Sequence, residues 1–131
     1  MVTGYTYDIE EAFYSWLTTN LSGYTYYLQG FGKKSANVAI SIEQEGSFND
    51  RAEIPVFTPR VKIVCRAADK EASKLMAEAV RKKIHGLVNT TMGSLDVALI
   101  QLNSGILHEP DEENGLSMHI AYYEVLLKGT I

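Results

Sequence analysis

The sequence predicts an α+β domain: a two-layer sandwich in which a mostly antiparallel sheet of four to five strands carries two helices on one face. Three observations predict it. Two segments place apolar residues at the i, i+3, i+4 spacing of a helical face, and others alternate with the period of two that marks a half-buried strand. The elements run in the order α-β-β-β-α-β-β. One amphipathic helix cannot cover a five-stranded sheet, so both helices are needed on the same side. The 131 residues, 46% hydrophobic and 21% charged, amount to a single domain, 1–131, able to bury a core without a metal or disulfide staple.

The first helix is expected over Tyr7 to Asn20. Ile9, Ala12, Phe13, Trp16 and Leu17 share one face, and Asp8, Glu10 and Glu11 lie where the helix dipole favours negative charge. Asn20 and Gly23 supply stop signals. An aromatic strand follows over Tyr24 to Phe31. In the strand Asn37 to Glu45, Val38, Ile40 and Ile42 face inward and Ala39, Ser41 and Glu43 outward.

The stretch GSFNDRAEIPVFTP is a connection longer than most hairpin loops, which predicts a functional or mobile segment. In the third strand, Arg60 to Ala68, Val61, Ile63, Cys65 and Ala67 line one face and Lys62, Val64 and Arg66 the other. The second helix starts from Asp69 as N-cap, with Glu71 in its first turn. Its apolar stripe runs through Ala72, Leu75, Met76, Ala79, Val80, Ile84, Leu87 and Val88. Two strands close the domain, Leu95 to Leu102 and Met118 to Lys128, joined by the acidic, turn-rich SGILHEPDEENG. The sheet face away from the helices is expected to carry Val64, Ala39, Ala121, Tyr123 and Val125 among polar residues, a half-apolar surface suited to a partner.

Charge is unevenly distributed. Residues 60–88 hold eight Lys/Arg against three acids, a surplus of +5, and the remainder is −9. Such bipolarity suits a protein that binds copies of itself with unlike patches. The overall charge of −4 argues against a nucleic-acid surface. No apolar run reaches the roughly 18 residues of a membrane helix. The N-terminal residues lack the basic and apolar regions of a signal peptide, and the single Cys65 fits a reducing cytoplasm.

Motifs for chemistry are scarce. There is no glycine-rich phosphate loop, CxxC pair, HExxH or nucleophile elbow. His85, His108 and His119 fall on a helix end, a connection and a strand, and read as one histidine near a helix C-terminus and two at partly exposed positions. Cys65, mid-strand on the apolar face, reads as an inert small hydrophobe. The acidic run Glu109, Asp111, Glu112, Glu113 lacks the ligand spacing of a calcium loop. The N-terminal tyrosines have no Lys or Arg between Met1 and Gly32 to hold phosphates, so they read as packing residues. No catalytic residue, metal or cofactor is predicted, and the protein is expected not to be an enzyme.

The stretch from ANVAISIEQEG through VRKKIHGLVN resembles the tail-terminator and tail-completion proteins of long-tailed double-stranded DNA bacteriophages, minor capsid or minor tail proteins. The shared pattern is an N-terminal helix, a strand ending in an acidic residue and glycine, a long loop, and a strand of the type P-x-V-x-I-x-x-R-A. That strand stands here as Pro59, Val61, Ile63, Arg66 and Ala67. A helix opening on Asp69 with Ala72 and Ala79 on its face follows, and MHIAYYEVLLKG matches the ending. The resemblance follows the order of elements along most of the chain and is sharpest over residues 37–88. Cys65 and the N-terminal tyrosines are not part of it.

The resemblance implies a structural virion protein of the tail or neck, assembled in the host cytoplasm. Its copies form a ring, usually a hexamer, that caps the tail tube, stops its growth and docks the head–tail connector protein. Partners would be further copies, the tail tube protein and the connector, with DNA passing through the channel without specific binding. Lys62 and Arg66 of one copy would face acids of the next, from Glu43, Glu45 or Glu109, Asp111, Glu112 and Glu113. The loop carrying Phe48, Asp50, Arg51 and Phe57 would order against a neighbour or the tube. The alternatives are a head-completion or connector-adaptor protein of the same neck, a small-molecule-binding α+β module, and a small enzyme using Cys65 with a histidine.

Overall fold

The computed structural model describes residues 5–28, 37–44, 56–57, 60–92, 95–103, 105–111 and 115–128. Helix α1 (Tyr5–Asn20) buries Ile9, Ala12, Phe13 and Leu17, the face set by their spacing. Strand β1 (Tyr26–Leu28) follows, and the Tyr26 hydroxyl donates to the Leu21 carbonyl at 2.5 Å, tying the strand to the turn after the helix. Strand β2 (Asn37–Gln44) pairs parallel with β1 and antiparallel with β4 (Arg60–Ala67). Helix α2 (Lys70–Ile84) has Asp69 as its N-cap; the Ala72 N–H donates to Asp69 Oδ1 at 2.8 Å. Asp69→Ala should therefore cost about 1 kcal/mol in urea unfolding, with α2 fraying first in hydrogen exchange.

Three strands lie where the sequence predicts none. β3 (Val56–Phe57) falls within the long connection and pairs with the end of β8 (Leu116–Lys128), Phe57 opposite Leu127. β5 (Val88–Met92) pairs with β6 (Leu95–Leu102). β7 (Leu107–Asp111) pairs with the first half of β8. Its Pro110 is tolerated because the strand has a partner on only one side among the described residues.

Among the described residues the expected four- to five-stranded sandwich is thus replaced by one mixed sheet of eight strands. Its main path is β1-β2-β4-β8-β6-β5, with β3 and β7 also paired along the thirteen-residue β8. The sheet is curled. α1 touches β1 and β2 at one end of the path and β5 and β6 at the other, so both ends of the curled sheet meet the same helix.

α2 packs beside α1 over β4 and β8. One core results, joining Phe13 and Leu17 of α1, Met76, Val80 and Ile84 of α2, and Val61, Ile63, Tyr123, Val125 and Leu127 of the sheet. α2 ends before Leu87 and Val88, the last two residues of the apolar stripe. Gly86, at φ 84°, takes the left-handed conformation that turns the chain, and Val88 opens β5 at 57% exposure. Leu75, also in the stripe, is 62% exposed; Met76 and Ala77 hold the buried positions.

Candidate assembly surfaces

The sheet has a second face, turned away from the helices, and its composition differs from expectation. Strand register places Tyr123 opposite Val61 and Ala121 opposite Ile63, so Ala121, Tyr123 and Val125 belong to the core. The second face is built around Ala39, Val64 and Ile120, with Met118 and Tyr122 packed on them. A one-residue change of parity on β8 moves every side chain to the other face. Ala39, Val64 and Ile120 are buried, and the exposed end of their row is Leu107, at 55%.

Charged residues flank this apolar row. Asn37, Arg66, Met118 and Glu109 form one row across β2, β4, β8 and β7. Ser41, Lys62 and Tyr122 form the next. Beyond it Arg60 stands opposite Glu124, their side chains 3.9 Å apart. The basic candidates Lys62 and Arg66 and the acidic candidate Glu109 therefore occupy the same face of one molecule. Arg66 is buried, Lys62 half-buried and Glu109 exposed.

Glu43 lies in β2 at a register irregularity, the extra residue between the Ile42–Val61 and Gln44–Arg60 pairs. Asp111 ends β7 opposite Leu116, and Phe57 stands in β3. Glu45, Phe48, Asp50, Arg51, Glu112 and Glu113 lie outside the described residues.

The opposite side of the molecule is the outward face of α2. Here Lys70, Lys74, Lys82 and Lys83 are exposed, with Leu75 among them. Sequence reasoning missed this surface because it assigned Leu75 to the core. The signal was present in its flanks, since Glu71, Lys74, Leu75, Glu78 and Lys82 recur at helical spacing with Leu75 their one large apolar member.

Between α2 and the β6–β7 connection lies a pocket of about 280 Å³, lined by Lys74, Glu78, Arg81, Leu102, Ile106 and His119. The sequence showed no such convergence, because helix, connection and strand meet there only in the fold. Arg81 donates to Glu78 Oε2 from Nη2 at 2.9 Å and from Nε at 3.2 Å. That hydrogen bond holds the Glu78 carboxyl below its ordinary range. His119, expected to be partly exposed, is buried at 5% exposure. Among the described residues no three His, Cys, Asp or Glu side chains are placed to share a metal ion.

Cys65 is buried in the core, and burial pushes its thiol up to about 12, so it carries no thiolate at neutral pH. Tyr123 is buried beside it, its hydroxyl without a partner among the described residues and pushed well above the usual phenol range by desolvation. Tyr123→Phe removes an unsatisfied hydroxyl without opening a cavity. It should leave the urea midpoint unchanged or raise stability by up to about 1 kcal/mol. A loss of stability would mean that the hydroxyl has a partner.

No protein-family model and no curated protein matches the chain. Among solved structures the fold is similar to a chain of the virion of a native gene transfer agent particle. The TM-score is 0.70 at 12% identity, over 92% of this chain and 95% of that one. The shared fold therefore spans nearly the whole of both chains.

Proposed function

We propose that this protein is a structural component of a virion, acting through contacts with other subunits and transforming no substrate. The observation that carries this reading is the near end-to-end likeness to a chain of a virion particle. The tail-terminator pattern over residues 37–88 supports it independently, since it rests on sequence. The finer reading is a tail terminator: a ring of copies, usually six, that closes the tail tube and receives the connector.

A ring needs one patch meeting a different patch. Lys62, Arg66 and Glu109 share one face of the same molecule, so they do not by themselves make two unlike patches. The surfaces that differ lie on opposite sides of the molecule: the lysine-rich outward face of α2 with Leu75, and the second sheet face ending in Leu107 and Glu109. In the proposed ring, α2 of one copy lies on the second sheet face of the next, with Leu75 and Leu107 providing apolar contact and Lys74 and Glu109 unlike charge.

Sedimentation over a concentration series, with negative-stain imaging, tests this reading. Rings are expected at high concentration, weakening as salt rises because exposed charges are screened within about 10 Å at 0.1 M. A strictly monomeric protein that ignores tail tubes would overturn the ring. Rings equally stable at every salt concentration would overturn the charge account alone.

A further inference from the structure

Four polar side chains join α2 to the β7–β8 hairpin, and the assembly proposed above makes no use of them. Ser73 of α2 lies over β8, its Oγ 2.7 Å from His119 Nδ1 and 3.3 Å from Ser117 Oγ. Ser117 Oγ is in turn 2.8 Å from His108 Nε2 on β7. The two imidazoles stand opposite each other in register, with ring centroids 4.9 Å apart. Ser73, Ser117 and His119 are buried, and only His108 reaches solvent.

Proton counting restricts this chain. Each hydroxyl has one hydrogen to donate, and a neutral imidazole has one N–H and one bare nitrogen. Three consecutive bonds form when His119 Nδ1–H donates to Ser73, Ser73 to Ser117, and Ser117 to His108 Nε2. One end must donate and the other accept, a condition that two neutral histidines meet.

A proton on His108 alone reverses the chain: His108 Nε2–H donates to Ser117, Ser117 to Ser73, and Ser73 to the bare Nδ1 of a neutral His119. With both rings protonated both ends donate, and one hydroxyl hydrogen must turn to another acceptor such as the Lys70 carbonyl, 3.1 Å from Ser73 Oγ. A proton on His119 places a cation in a buried site. The groups around that site offer little compensation. α2 presents Lys70 and Lys74, β7 presents His108, and Cys65, opposite on β4, is a neutral thiol. Glu78, the carboxylate lining the shared pocket, is already engaged by Arg81.

We propose that Ser73, Ser117, His108 and His119 form a pH-sensitive clasp between α2 and the β7–β8 hairpin, closed while the buried His119 ring is neutral and released when that ring takes up a proton. Burial, followed by the neighbouring His108, Lys70 and Lys74, lowers the His119 pKa in the folded protein. The unfolded chain therefore binds the proton more readily. The clasp's contribution is complete above the ordinary imidazole value near 6.5 and is lost as pH falls below it. Released, β7 would be held, among the described residues, by its pairing with β8.

The test is an NMR titration of the histidine rings in the full chain from pH 8 to pH 5, with amide exchange followed over residues 70–77 and 107–111. The His119 ring should titrate below about 6.5, and protection over both segments should fall in the same interval. In urea, the folded-to-unfolded ratio should drop by up to about tenfold per pH unit between the unfolded and folded values of the ring. His119→Asn should flatten that dependence. The proposal is overturned if His119 titrates at or above the ordinary value, if protection does not follow it, or if His119→Asn keeps the wild-type slope. Should that variant fail to fold, the wild-type titration and exchange decide alone.

Discussion

Phe13→Ala is expected to cost about 3–5 kcal/mol, the range for emptying a fully buried aromatic site. Phe13 has no solvent exposure and sits in the core cluster on α1, the helix that touches both ends of the curled sheet. Its loss should loosen both contacts at once. Against a total stability of about 5–15 kcal/mol, such a loss brings the domain close to unfolding at room temperature. In urea the midpoint should fall by roughly 2 M, taking a slope near 2 kcal/mol per molar. Tyr14→Ala, one position along on the exposed side of the same helix, should stay within about 0.5 kcal/mol of wild type. If the two variants unfold alike, Phe13 is not in the core and the packing of α1 on the sheet is wrong.

Leu75→Glu is expected to abolish ring assembly while leaving the monomer folded. At 62% exposure, the Leu75 side chain contributes little to the core, and glutamate is a good helix former. The folding cost should therefore stay near 0.5 kcal/mol. On the proposed ring the same side chain is an apolar anchor among Lys70, Lys74 and Lys82. Placing a carboxylate there against Glu109 of the next copy removes burial and adds repulsion. A loss of at least ~2 kcal/mol per contact, about thirtyfold in affinity, is the scale of such an anchor. Sedimentation should show monomer at concentrations where the wild type forms rings. Lys62→Glu, on a half-buried position of the other face, serves as the comparison. If Lys62→Glu dissolves rings and Leu75→Glu does not, the contact runs through the sheet residues first suggested by sequence and not through α2.

Much of the fold was legible in the residues. Both helices were, because Ile9, Ala12, Phe13 and Leu17, and again Met76, Val80 and Ile84, repeat at a helical period, and α2 adds an Asp69 cap and dipole-compatible charges at its ends. So were the central strands β2, β4, β6 and β8, whose apolar residues alternate over eight or more positions. The three unpredicted strands are two to five residues long and include VNTTM and LHEPD, which have no apolar alternation to read. They are strands because β6 and β8 offer them an edge, so their cause lies in another part of the chain.

Local periodicity alone dictates the two-helix, strand-rich make-up of the core and the buried face of β4. Tertiary structure alone decided the curl of the sheet, the parity of β8, and the meeting of Ser73 with Ser117 and His119, residues 44 and 46 positions further along the chain. Those features depend on register between distant strands and on how a helix crosses them, which no local pattern encodes. The same holds for the surfaces: the sequence supplied the charges, and packing settled that Arg66 is buried while Leu75 is exposed to solvent.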